Sequence, residues 1–266
     1  MNPNPKQHVH DPDPRRARQR NPAIDLLRGW VMILMVLDHT RGFYFGYSPK
    51  PTDLDATTPE LFATRLITHL CAPVFVLLAG TAAYLYGTRH NVHERSRFLL
   101  SRGLWLMLLE VTVIRLGWVP DLFYRFTLLQ VIWAIGCALV ALAALSRLGP
   151  MATGAIGVVI IAAHNLLDPI SPQHFGDLGW LWRLLHEPGA IVPSQGVRFQ
   201  VAYPILPWIG VMAAGFGLGP LFSAEPEVRR RWLLGLGVAL SVGFLLLRAS
   251  NLYGDPSPWG VHPRGA

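Results

Sequence analysis

Charge is scarce in this chain and cysteine scarcer. Only 15% of the 266 residues are charged against 52% hydrophobic, and the mean hydropathy is +0.34. That balance excludes an ordinary soluble domain and indicates a multi-pass membrane protein. The two cysteines, Cys71 and Cys137, both fall inside apolar runs. A disulfide framework or a zinc site is therefore not expected, and both read as packing residues. The net charge is +7, yet no basic run is interleaved with aromatic residues. Nucleic acid is not an expected partner; the arginines sit between apolar runs, where they signal topology. No P-loop, dinucleotide-binding glycine motif, HExxH or GxSxG occurs, which removes several enzyme classes. Acyl transfer stays open, since it needs only a base, an acceptor and a bound acyl donor. No cleavable signal pattern opens the chain. Residues 1–21, rich in Pro, Arg and His, read as a disordered cytoplasmic tail.

What the chain does have is long apolar runs, at about 24–46, 63–87, 98–118, 122–146, 150–167, 201–222 and 232–248. Each is too long for a strand, and a single segment crossing lipid must bond its own backbone, so each reads as a helix. The expected fold is an all-α integral membrane bundle of about seven transmembrane helices over residues 22–250, followed by a polar tail at 251–266. Turn chemistry punctuates the runs at Gly149-Pro150, Asp168-Pro169 and Glu225-Pro226. With residue 1 in the cytoplasm, fourteen lysines and arginines fall on the cytoplasmic side and nine on the other. The bias favours that orientation. Gly80, Ala82 and Ala83 in the second run, and Gly210, Ala213, Ala214 and Gly217 in the sixth, suit close helix packing in lipid.

The first run is not a plain anchor. It carries Asp25 and Arg28 at its start, read as a capping pair, and Asp38, His39 and Arg41 near its end. Ionisable groups at membrane depth are expensive and normally face a partner or a polar cavity. Asp38 and Arg41 stand three apart and can pair, which leaves His39 to face elsewhere. His69 lies four residues before Pro73, whose missing amide frees the carbonyl of His69 and opens the helix beside an imidazole. Arg65, Glu110, Arg115, Gln130, His164 and Tyr203 complete a polar layer expected on the extracytoplasmic side. Glu110 and Arg115, five apart, are expected to pair across helices rather than with each other. The segment 168–200, with Trp180, Trp182 and His186, reads as interface anchoring more than as a lid.

Several stretches together resemble a known family: Ile24–Gly29, Leu37–Arg41, Pro51–Leu54, Cys71–Val76 with Ala79–Thr81, Leu129–Ile132 and Tyr203–Gly210. They resemble the bacterial DUF1624 membrane proteins, a group similar to the catalytic domain of heparan-alpha-glucosaminide N-acetyltransferase. The resemblance implies acetyl transfer from acetyl-CoA, without a metal, to an extracytoplasmic sugar-type acceptor. It also implies further helices beyond Asn251–Pro256. The lysosomal enzyme is described as using a histidine in the loop after its first span, and the stretch from Gly42 to Phe62 has none. The candidates for chemistry are therefore His39 and His69 as general base or acyl carrier, with Asp38 as orienter. Arg41, Asp53, Arg65, Glu110, Arg115, Gln130 and His164 are the candidates for substrate binding. Expected partners are membrane lipid, a small-molecule acyl donor and acceptor, and a second copy of the chain, at the plasma (inner) membrane. The alternative is a transporter or binding protein using the same residues as a substrate or proton path.

Overall fold

The computed structural model describes residues 22–45, 51–53, 56–194 and 196–253. It is largely helical. Helix α1 (Pro22–Phe45) leads to α2 (Pro59–His69) and α3 (Cys71–Gly87). Helix α4 (Val92–Leu109) continues through a π-turn (Glu110–Ile114) into α5 (Arg115–Trp118). Strand β1 (Phe126–Leu129) precedes α6 (Val131–Leu145) and α7 (Pro150–Ala163). Helix α8 (Gly179–Leu185), β2 (Gly189–Ser194) and β3 (Val197–Val201) form a surface insertion before α9 (Ile205–Ser223) and α10 (Pro226–Ser250).

Local chemistry sets the boundaries. Thr58 accepts the Leu61 amide at 3.3 Å and Pro59 takes the first helical position of α2. Asn91 and Glu94 form a reciprocal capping box at α4. Gly149, at φ +83°, turns the chain so that Pro150 opens α7. Asn251 closes α10 in the left-handed region.

Five helices among the described residues are long and apolar enough to cross a membrane, with α2 and α3 counted as one. The other two of the seven runs, α1 and α4–α5, are helical too but carry more charge, including Asp38, Arg41, Glu110 and Arg115. Two expectations need correction, for the fourth run and the sixth, while the opening expected beside His69 in the second is present. The fourth run is not helical throughout, because Phe126–Leu129 forms a strand. That strand pairs in parallel with β3, which pairs antiparallel with β2. An apolar run of four residues carries no period by which strand and helix can be told apart. The second run is interrupted at Leu70, one residue after His69, where Pro73 offers no amide to the His69 carbonyl. The sixth starts its helix only at Ile205, after Pro204.

The helices meet through glycine. A Cβ on Gly80 of α3 would lie 2.0 Å from the Met212 carbonyl oxygen of α9, and one on Gly215 would lie 2.1 Å from that of Leu77. Thr81 Oγ1 donates to the Gly215 carbonyl at 2.9 Å across the same seam. Around it Val76, Leu99, Leu142, Met212 and Phe216 form the buried core. No residue of α10 is buried. Gly80→Ala is therefore expected to cost about 1–3 kcal/mol of stability through overpacking. Gly29→Ala, where a Cβ meets nothing within 4 Å, is the neutral control. Thermal unfolding in one detergent compares them, and equal midpoints would refute the close-contact account.

Candidate functional site

Helices α3 and α9 run in one direction, and α4 packs antiparallel to α6, as α7 does to α9. As a result the end of α1, the α2–α3 break, the end of α4–α5 and the starts of α6 and α9 gather at one end of the bundle. There they enclose a cavity of about 700 Å³. Its wall includes Asp38, His39, Arg65, Thr68, His69, Glu110, Gln130 and Tyr203, set among Ile114, Trp118, Ile135, Pro207 and Trp208.

Asp38 is the organising charge of the α1–α2 side. Its Oδ1 accepts from Arg41 Nη2 at 2.9 Å and from Thr68 Oγ1 at 2.9 Å, and its Oδ2 from Arg65 Nη1 at 3.3 Å. The pairing of Asp38 with Arg41 at helical spacing is as expected, and Arg65 adds a cross-helix partner. With both oxygens committed to guanidinium and hydroxyl groups, Asp38 positions Arg65 on the wall and, among the described residues, makes no hydrogen bond to an imidazole. His39 lies with its ring centroid 5.8 Å from that of Trp118. Among the described residues neither His39 nor His69 has a hydrogen-bond partner on its ring, so both present free nitrogens at the exposed rim.

On the opposite wall the chain widens into the π-turn, an irregularity frequent at functional sites. The turn sets two buried ionisable residues on different tasks. Glu110 is 1% exposed, and its Oε1 accepts the Gln130 amide at 3.0 Å, at the N-terminus of α6. Arg115, 2% exposed, faces the other way. Its guanidinium donates to the carbonyls of Asp121 and Phe126 and to Thr127 Oγ1, and lies 3.9 Å over the Tyr124 ring. They do not pair with each other, as expected; Glu110 meets the backbone at the start of α6, whereas Arg115, expected to pair across helices, holds the loop after α5 and strand β1.

The cavity therefore brings together Asp38, His39, Arg65, His69, Glu110 and Gln130 of the sequence candidates. Arg41 sits behind Asp38, and Arg115 ties β1 to α5. Asp53 is not part of the wall. His164 is remote: its Nδ1 contacts the Ile161 carbonyl oxygen, near a pair in which His186 Nε2 lies 2.9 Å from Asp168 Oδ1. Trp118 and Trp208 were beyond sequence reasoning, because an aromatic residue in an apolar run looks the same facing lipid, core or cavity. Among the described residues, the 168–200 segment contributes nothing to this wall. With Trp133, Val111 and Leu129 it encloses a second space of about 750 Å³, lined also by Trp180, Asp177 and Arg183. Trp182, read as an interface anchor, instead donates its Nε1–H to the Ile170 carbonyl at 2.8 Å and stacks on Phe175. Among the described residues no group of three or more His, Cys, Asp or Glu side chains is placed to hold a metal ion.

The model of the family described as heparan-alpha-glucosaminide N-acetyltransferase, catalytic, matches residues 20–245, from just before α1 into α10. No curated protein and no solved structure matches the chain. The match covers every element of the cavity wall, and with the apolar helices it shows that the chain is an acetyltransferase-like membrane protein belonging to the heparan-alpha-glucosaminide N-acetyltransferase catalytic family.

Proposed function

We propose that the chain transfers an acetyl group from acetyl-CoA to a sugar-type acceptor inside the 700 Å³ cavity. The observation that carries this reading is the convergence of two unpartnered imidazoles, a held guanidinium and a buried carboxyl on one cavity, in a chain of this family. The residues suit the donor. The apolar stretch of wall at Pro73, Ile135, Pro207 and Trp208 accommodates a narrow acyl-bearing arm, and Arg65 offers a cation to an anionic or carbonyl oxygen. When bound, the thioester supplies the acetyl group. His39 or His69 takes the proton from the attacking acceptor and returns it to the departing sulfur, since a neutral imidazole works near physiological pH with little tuning. Asp38 keeps Arg65 in place. The test is acetyl transfer by purified protein in lipid nanodiscs, read by mass spectrometry of the acceptor. Transport of substrate without any transfer would overturn this reading in favour of a carrier.

The orientation belongs to the same proposal. The end of the bundle opposite the cavity carries Arg89, Arg95, Arg97, Arg102 and Arg147, an asymmetry that favours a cytoplasmic position for that end in the plasma (inner) membrane. The cavity then opens extracytoplasmically. Gln173→Cys and His93→Cys, both at exposed positions, are expected to react with an impermeant thiol reagent from outside and from inside respectively. Reversed labelling would place the cavity in the cytoplasm.

A further inference from the structure

Among the described residues of the cavity wall, Glu110 has a buried side-chain oxygen with no hydrogen-bond partner. The carboxyl is 1% exposed, and among the described residues no arginine or histidine stands within ion-pair distance of it. Oε1 is held by the Gln130 amide, with the Trp133 amide alongside, whereas Oε2 is buried and has no hydrogen-bond partner. The start of a helix favours a carboxylate there. A buried charge without a partner is costly, and such a carboxyl is relieved either by holding a proton or by a cation that enters the cavity. The nearby arginines do not supply it: Arg41 and Arg65 are bound to Asp38, and Arg115 to Asp121 and the chain around β1.

We propose that Glu110 is a catalytic residue that receives the acceptor as an ammonium ion and removes its first proton; this rests on the acetyl-transfer reading of the cavity and deepens it. A protonated amine has no electron pair with which to attack. Oε2 accepts one N–H proton and frees that pair. The bond from nitrogen to the acetyl carbonyl carbon then forms, and the carbon–sulfur bond of the thioester breaks. The second proton leaves nitrogen by way of an imidazole and ends on the departing sulfur, while the proton on Glu110 passes to water. Ammonium and thioester thus give amide, thiol and one free proton, with no oxidant or reductant required. A hydroxyl acceptor brings a single proton and makes no such demand.

The experiment uses the full chain in lipid nanodiscs with acetyl-CoA and two acceptors, D-glucosamine and D-glucose. Glu110→Gln keeps an oxygen for the Gln130 amide and loses the charge. With glucosamine at neutral pH, kcat/KM is expected to fall by about 10² or more. The gap between variant and parent is expected to close as pH rises past the acceptor's own amine pKa, where solution supplies the free amine. Asp38 and His39 from α1, Arg65 and His69 from α2, Cys71 from α3 and Tyr203 ahead of α9 face the same cavity. They are identical in both proteins, so the difference between the two profiles belongs to Glu110. A purely structural role would produce a gap that does not change with pH, and that result overturns the proposal. If Glu110→Gln melts early, formate added to Glu110→Ala is the second readout: a restored rate supports the carboxylate role, and no restoration overturns it. A parent protein that acetylates neither sugar overturns the acetyl-transfer reading itself. A parent active on glucosamine with Glu110→Gln at the same rate overturns only the role of Glu110.

Discussion

Alanine at His39 or at His69 is expected to cost one of the two variants about 10²–10⁴ in the rate of acetyl transfer, or about 3–5 kcal/mol of barrier. Both imidazoles reach the cavity, and among the described residues neither is hydrogen-bonded, His39 only lying beside the Trp118 ring, so removing one takes away a proton acceptor without breaking a hydrogen bond. Membrane insertion and the thermal midpoint are therefore expected to stay at the parent values. His164→Ala and His186→Ala are the controls. Their rings lie with centroids 6.3 Å apart at the end of α7 and α8, away from the cavity wall, and their loss is expected to leave the rate nearly unchanged. Measurement of all four variants with acetyl-CoA and an amino sugar separates the cases. Parent rates in both His39→Ala and His69→Ala would remove histidine from the mechanism.

The largest loss of stability is expected at Arg115. Its buried guanidinium satisfies the carbonyls of Asp121 and Phe126 and the Thr127 hydroxyl, and covers the Tyr124 ring. Arg115→Met keeps much of the volume but strands those acceptors, and breaking a buried charged network typically costs about 3–5 kcal/mol. Unfolding in mixed detergent micelles is the measurement, and a loss below about 1 kcal/mol would show that water replaces the guanidinium. The same connection has a pH arm. The amides of Phe123 and Arg125 donate to the Asp121 carboxylate at 3.0 and 2.8 Å and hold its pKa below the ordinary 3.8, with Arg125 and Arg115 adding to the effect. A carboxylate lowered in the folded state contributes its full stabilisation above the unfolded pKa and loses it as pH falls through the folded value. The protection factors of the amides across residues 119–125, exchange rates relative to the unstructured rate at the same pH, are expected to be flat at neutral pH and to fall only below about pH 4. Asp121→Asn is expected to remove that step.

Helix positions and the location of the polar residues were largely legible in the sequence, because lipid permits few solutions. A run of about twenty apolar residues must bond its own backbone, so the seven runs found helices. Charge inside such a run must find company, so Asp38, His39, His69 and Glu110 could be marked before any contact was known. The pairing of Asp38 with Arg41 followed from spacing alone, and the helix break after His69 from the amide missing at Pro73. None of these inferences needs a neighbour.

The partners across the bundle depended on what no single run contains. Arg115 stands in the same apolar run as Glu110, yet the π-turn between them sends one toward β1 and the other toward the cavity. One extra residue in a helical turn reorients every side chain after it. His164 carries the same imidazole as His39 but lies off the cavity wall, at the end of α7, where its ring sits beside that of His186. The strand at Phe126–Leu129 exists only because β3, seventy or so residues later, offers its edge. Sequence by itself determined which groups lipid forces together, since burial of charge is penalised wherever it occurs. Only the tertiary structure decided that, among the described residues, Asp38 already has two cations and Glu110 none, because the supply of counter-charge depends on which helices meet.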